Sequence, residues 1–173
     1  MKTKLILLLP FLVSVFALQA QQATITTQSG NPSYNTIQKA VDNANSGDVI
    51  TVDAGTYNER VTITTDNLTI TGPNAGINPN KGTRVPEAIV SVPSGIPSGF
   101  YLNGVSGVTI DGVTVNANGE NYGIYHAAPN NEGSITIQNN IIENAIYGFF
   151  GSGNNSQASS NNLIANNLFN NHT

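Results

Sequence analysis

Cysteine and tryptophan are absent from all 173 residues, methionine occurs once, and charged side chains make up only 9% of the chain. Without cysteine there is no disulfide scaffold, so stability must come from packing and backbone hydrogen bonds, which an extensive sheet supplies better than a loop-rich fold. Basic residues are scarce too. Beyond Lys2 and Lys4, four Lys and Arg stand against ten Asp and Glu, which excludes the clustered cations that nucleic acid binding needs. The longest apolar run, residues 5–17, is interrupted by Pro10 and Ser14 and is shorter than the roughly 20 residues of a spanning helix. With Lys2 and Lys4 before it and Leu18-Gln19-Ala20 after it, the run reads as a secretory signal peptide over 1–20. A secreted or cell-surface chain with no transmembrane segment in its mature part is the expectation. No cysteine follows the cleavage site, which excludes a lipid-modified N-terminal cysteine.

What is present is patterned. The stretch "YNTIQKAVDNANSG" puts Ile37, Ala40, Val41 and Ala44 at the spacing of one buried helical stripe, with Asn35 placed as N-cap and Gly47 where the helix ends. Residues 34–47 are therefore expected to form one short amphipathic helix, preceded by a linker or strand over 21–33. After Gly47 the period becomes two: "VITV", "VTI", "LTI" and "VTI" alternate apolar and Thr residues as half-buried strands do. These runs recur. "IQNNIIEN" at Ile137 returns as "IANNLFNN" at Ile164, and Ile110 lies the same distance upstream of Ile137. A second series, "GFYL" at Gly99, "GIYH" at Gly123 and "GFFG" at Gly148, advances by nearly equal steps of its own.

Two strand motifs recurring in one order with a period near 25 specify a solenoid of stacked β-coils. Leucine-rich repeats need a Leu frame that is missing, and propeller blades need about 40 residues and aromatic signatures. Abundant Asn fits coil corners, since Asn tolerates the left-handed backbone and its amide can bond from coil to coil. Asn140 over Asn167 and Asn144 over Asn171 are the predicted ladder. The helix is expected to plug the first coil, and residues 73–97 to loop out as an insertion from which 88–92 return as a strand. No cap or blunting strand follows the last corner, so the chain is expected to be part of a longer β-helix, or to associate end to end through its final coil.

The stretches "TIQKAVDNANSGDVITVDAGTYNERVTI", "VTIDGVTV" and "ITIQNNIIENAIYGFF" resemble the right-handed parallel β-helix, pectin-lyase-like superfamily, especially its secreted bacterial members. The resemblance covers residues 34–171. It implies an all-β right-handed parallel β-helix with an N-terminal capping helix over 34–173, and a link to polysaccharide.

Chemistry is harder to read. Gly55-x-Tyr57-x-Glu59 matches an element of pectin methylesterases, but the aspartates that such enzymes use as nucleophile and acid have no recognisable counterparts downstream, so closing a corner is the favoured role. Lyases of this superfamily use Lys or Arg as base with acidic groups holding Ca²⁺. Arg84, Glu87 and Asp111 are the weak catalytic candidates of that kind, against the reading of Arg84 and Glu87 as a solvated loop ion pair, and Ca²⁺ is the one cofactor to consider. His126 and His172 have no metal-ligand spacing around them. The Thr rows at residues 61–64 and 68–71 resemble flat ice-binding faces but fade after Thr109 and Thr136.

Aligning the Gly-led motifs puts Phe100, Ile124 and Phe149 in one column and Tyr101, Tyr125 and Phe150 in the next, and strand alternation sends the two columns to opposite faces. The first is the expected interior. The second is expected either to face solvent as a ligand-binding aromatic ladder or to be covered by the insertion. The leading functional expectation is a secreted or surface β-helix module that binds extracellular polysaccharide or serves structurally. Its alternative is an esterase- or lyase-type enzyme with an incomplete site.

Overall fold

The computed structural model describes residues 21–130, 132–153 and 161–172, and the signal peptide expected over 1–20 lies outside them. A hairpin of β1 (Ala23–Ile25) and β2 (Ser33–Tyr34) comes first, followed by α1 (Ile37–Asn43). The chain then winds in coils of three strands. The first coil is β3 (Val49–Val52), β4 (Gly55–Asn58) and β5 (Val61–Ile63); the second is β6 (Thr69–Thr71), β7 (Ala88–Ser91) and β8 (Ser98–Asn103). The third is β9 (Thr109–Asp111), β10 (Thr114–Asn116) and β11 (Tyr122–Ala128); the fourth is β12 (Thr136–Gln138), β13 (Ile141–Glu143) and β14 (Tyr147–Gly153). A fifth contributes β15 (Leu163–Ala165) and β16 (Leu168–Asn170).

Equivalent strands of successive coils pair in parallel and build three sheets: β3-β6-β9-β12-β15, β4-β7-β10-β13-β16 and β5-β8-β11-β14. This is the architecture of an all-β solenoid. The N-terminal hairpin departs from the pattern, with β1 pairing antiparallel with β3 and so covering the edge of the first sheet. Between coils three and four and again between four and five, the register in the first sheet repeats the step of the sequence motifs, as in Thr109↔Thr136 and Thr136↔Leu163. The second sheet keeps the same step, as in Thr114↔Ile141 and Ile141↔Leu168.

In-register pairing stacks like on like in the interior. Ile50, Ile70, Ile110 and Ile137 form one column with no solvent exposure, and Ile164 continues it at the outer end, where it is 39% exposed. Tyr57, Val90, Val115, Ile142 and Phe169 form the column of the second sheet. Val61, Phe100, Ile124 and Phe149 form that of the third. Each column carries apolar side chains at one height per coil, the arrangement that keeps a narrow core at high packing density.

The corners use Asn as expected. Asn139, Asn144, Asn166 and Asn171 all adopt the left-handed region, with φ between 54° and 55°. The residue after Asn139 bonds along the stack: Asn140 Oδ1 accepts from Val113 N–H at 2.9 Å, Asn140 Nδ2 donates to Ile110 O at 2.9 Å, and Asn140 N–H donates to Asn167 Oδ1 at 2.9 Å. Asn171 donates to Asn144, which donates to Asn116 at 3.0 Å. Burying Asn140 fully is tolerated because its amide pairs with backbone groups that the corner leaves unmatched.

Three expectations are corrected. The helix is capped by Thr36, whose side chain accepts from Lys39 N–H at 3.2 Å, rather than by Asn35, and it ends at Ala44 rather than Gly47. Extended backbone at Ala44 stops the helix before any left-handed glycine is needed. Of the motif Gly55-x-Tyr57-x-Glu59, expected to close a corner, Glu59 does lie in the bend between β4 and β5, but Gly55 to Tyr57 belong to strand β4 and Tyr57 is a core residue. Within residues 73–97 the expected return of a strand at Ala88 holds as β7, which belongs to the second sheet, so the looped-out part is only 73–87.

Candidate functional site

The third sheet carries the aromatic columns. Register pairs Phe100 with Ile124 and Ile124 with Phe149 facing inward, while Tyr101 pairs with Tyr125 and Tyr125 with Phe150 facing outward. Phe100 and Ile124 are fully buried, whereas Tyr101, Tyr125 and Phe150 are half-buried. Their ring centroids are 5.3 Å apart for Tyr101 and Tyr125 and 5.7 Å for Tyr125 and Phe150. Separations of that size are those of offset aromatic pairs, which leave part of each ring to other partners.

Two further tyrosines widen the ladder. Tyr122 lies 5.1 Å from Tyr125 and 5.7 Å from Tyr147, and Tyr147 is 51% exposed. Sequence reasoning omitted both, although each directly precedes the glycine of its motif and the two pair in register. At the other end Arg60 lays its guanidinium over Tyr101, 4.5 Å from the ring centroid.

The glycines that lead these motifs have a packing reason. A Cβ on Gly123 would stand 2.7 Å from Gly148 O, and one on Gly99 would stand 2.5 Å from Val115 Cγ1 and 3.0 Å from Gly123 O. The second sheet turns into the third so tightly that no side chain fits there. The inward and outward residues that follow each glycine are thereby held at a fixed height on their strand.

Beside the ladder lies a recess of about 450 Å³ lined by Tyr101, Asn103, Tyr125, Ala127, Pro129 and Ser152 among others. Its polar atoms come in pairs. The Tyr101 hydroxyl donates to Asn103 Oδ1 at 3.2 Å, and the hydroxyls of Tyr125 and Ser152 are 3.0 Å apart. The insertion does not supply a cover for this face. Its bonds run instead to the corner between the first and second sheets, from Asn78 to Asn166 Oδ1 at 3.2 Å and from Arg84 to Asn139 O at 2.9 Å.

Arg84, Glu87 and Asp111 meet at that same corner. Arg84 Nε and Nη2 donate to the two oxygens of Glu87 at 2.6 and 2.9 Å, and Arg84 Nη1 donates to Ile77 O at 2.9 Å. Glu87 also accepts from the Thr114 hydroxyl at 3.0 Å. Asp111 accepts from Gly76 N–H at 3.1 Å, from Gln138 at 2.8 Å and from the Asn139 amide at 2.8 Å. Arg84 and Glu87 do not form the solvated pair of the sequence reading: their side chains are only 10% and 19% exposed, because the loop folds down onto the corner carbonyls. Through Arg84 to Asn139, Glu87 to Thr114 and Gly76 to Asp111, the cluster ties the loop to coils three and four.

Glu59 and Tyr57 are likewise occupied. Glu59 accepts from Ile37 and Gln38 N–H, and the Tyr57 hydroxyl lies 2.9 Å from Gln22 O and 3.0 Å from Asp53 O. Burial first, then the charges of Asp53 and Glu59, push the Tyr57 phenol up to about 12. His126 sits in an interior column with Leu102 on one side and Gly151 on the other, its Nε2 3.3 Å from Val105 O. His172 Nδ1 is 2.8 Å from Ala145 O. Among the described residues no three His, Cys, Asp or Glu side chains come together as a metal site. The expected Thr row exists on the first sheet as Thr69, Thr109 and Thr136 in register, and it ends in Leu163.

No protein-family model, no curated protein and no solved structure matches the chain. Its class rests on its own geometry, an all-β solenoid of stacked parallel sheets with a half-exposed aromatic ladder on one outer face.

Proposed function

We propose that the chain is a secreted or cell-surface module of the right-handed parallel β-helix, pectin-lyase-like type, which binds extracellular polysaccharide through the outer face of its third sheet and carries no catalysis of its own. The observation that supports this most directly is the in-register ladder of Tyr101, Tyr125 and Phe150, left half-exposed while the columns behind it are packed. Aromatic surface repeated at one height per coil suits a ligand that is itself a repeat of flat, partly apolar units bearing hydroxyls. A pyranose chain running along the solenoid axis would meet one ring per coil and the paired hydroxyls of the recess beside it.

The test is to replace Tyr101 and Tyr125 singly with Ala and to measure polysaccharide retention and melting temperature together. The expected result is a drop of about tenfold or more in retention, the loss of one stacking contact worth roughly 1–2 kcal/mol, with a small change in melting. Lost melting with unchanged retention would mean that the rings only pack on one another. Release of oligosaccharides from any substrate by the intact chain would overturn the non-catalytic part.

A further inference from the structure

We infer that the polysaccharide taken by this face is electrically neutral and that Asn103 and Ser152 select it through its hydroxyls, an inference that rests on the glycan-binding reading above. The distribution of charge along the solenoid is the first ground. Arg84 is the last Lys or Arg in the sequence, so coils three to five hold no Lys or Arg, while Glu87, Asp111, Glu120, Glu132 and Glu143 all follow it. A uronate or sulfated chain laid along the ladder would find no Lys or Arg of coils three to five to meet its charge.

One ionised group near the recess is an acid, Glu132. Glu132 Oε1 comes within 3.7 Å of where a Cβ on Gly104 would stand, next to Asn103, and its carboxylate accepts from Asn130 N–H at 2.8 Å and from the Asn130 amide at 3.1 Å. Desolvation pushes the Glu132 pKa up, but the bonds from its own backbone and from Asn130 outweigh it and hold the group below the usual range. A negative charge therefore stands against Gly104, the residue after Asn103 of the lining. Arg60, the guanidinium in contact with the ladder, belongs to the first coil, is laid on the Tyr101 ring and has its Nε buried.

The second ground is the recess lining. Tyr101, Asn103, Tyr125 and Ser152 offer hydroxyls and one amide, groups that donate and accept, which is what neutral sugar hydroxyls require. Asn103 is exposed and uses its Oδ1 on Tyr101, so its amide N–H groups are open to a ligand or to water. An anion would need donors without acceptors beside them, and the Ser152 and Asn103 oxygens do not meet that need.

The experiment is affinity electrophoresis of the full chain in arabinoxylan, galactomannan and polygalacturonate at low and high salt. The expected result is retention by at least one neutral chain that does not change with salt, and retention by polygalacturonate weaker by about tenfold or more. Asn103→Ala and Ser152→Ala should each lower neutral retention by roughly three- to tenfold, the value of one hydrogen bond, with melting unchanged. Stronger retention by polygalacturonate, falling with salt and falling again in Arg60→Gln, would overturn the inference while leaving the glycan-binding reading standing. Retention by none of the three would remove both. Neutral retention indifferent to Asn103 and Ser152 would keep the substrate class and reject these two residues as its selectors.

Discussion

Glu59 and Ile37 join the first coil to the helix that closes it: the Ile37 N–H donates to Glu59 Oε1 at 2.8 Å, and the neighbouring Gln38 N–H donates to Oε2 at 3.0 Å. Both are donors that an α-helix leaves unmatched at its start, and a carboxylate there also meets the positive end of the helix dipole. Gln38 strengthens the same joint from the other side, its amide oxygen accepting from Thr62 N–H at 2.6 Å and its amide nitrogen donating to Thr62 O at 3.1 Å. The Gly-x-Tyr-x-Glu element is explained by this joint, with Tyr57 in the core and Glu59 bonded to the start of the helix.

Glu59→Ala is therefore expected to destabilise the fold by about 1–2 kcal/mol, the usual cost of a lost helix cap. In a domain of this size that corresponds to a fall in melting temperature of roughly 2–4 °C per kcal/mol. Thr36→Ala should act in the same direction and by a similar amount, since it removes the bond to Lys39 N–H. Thermal melts followed by circular dichroism check both. A Glu59→Ala variant that melts with the parent but loses a hydrolytic activity would make Glu59 catalytic instead.

The interior was legible from sequence wherever coils have equal length. Ile110, Ile137 and Ile164 recur at one spacing, and the structure stacks them with Ile70 and Ile50. The first two coils hid the same order, because residues 73–87 loop out and Val61 pairs with Phe100 from beyond that loop. Strand β4 was missed since "GTYN" contains glycine and a single large side chain, which reads as a turn until Val90 is seen to pair with Tyr57. The ladder of Tyr101, Tyr125 and Phe150 was visible as motif alignment, but its half-exposure depended on where the insertion went. No pattern in residues 73–87 reveals that Arg84 will reach the carbonyl of Asn139, two coils away in sequence.

That reach makes the insertion a clasp, and Arg84→Ala is the variant that opens it. The substitution leaves Glu87 with Thr114 as its side-chain partner and leaves the Ile77 and Asn139 carbonyls without the guanidinium. Breaking a buried ion pair by removing one member costs about 3–5 kcal/mol, and the partial exposure of this pair puts the expected loss at the lower end. Glycan retention should be unaffected, because the clasp lies on the corner between the first and second sheets and the ladder lies on the third. Loss of a polysaccharide-cleaving activity at unchanged melting would instead return Arg84, Glu87 and Asp111 to a catalytic role.

His126 sets the last prediction, on pH. Its ring occupies the interior column between Leu102 and Gly151, with 1% of its surface exposed, and its Nε2 faces Val105 O at 3.3 Å. Burial lowers its pKa below the ordinary 6.5, and the opposing effects of the Val105 carbonyl and the Glu132 charge do not make up the difference. The folded state thus holds this imidazole neutral at a pH where the unfolded chain already binds a proton. Since stability rises with pH wherever the unfolded state binds more protons, His126 makes no difference above the unfolded value of 6.5 and weakens the fold progressively as pH falls below it, until the folded pKa is reached. Melting temperature should accordingly decline as pH is lowered from 7 to about 5, a range that lies above the ordinary carboxylate values. In His126→Leu, which fills the column with an apolar side chain of similar size, the decline should flatten even if the absolute melting temperature shifts. A variant whose melting falls with pH as steeply as the parent's would assign the acid sensitivity to other groups and show that the interior histidine does not titrate on unfolding.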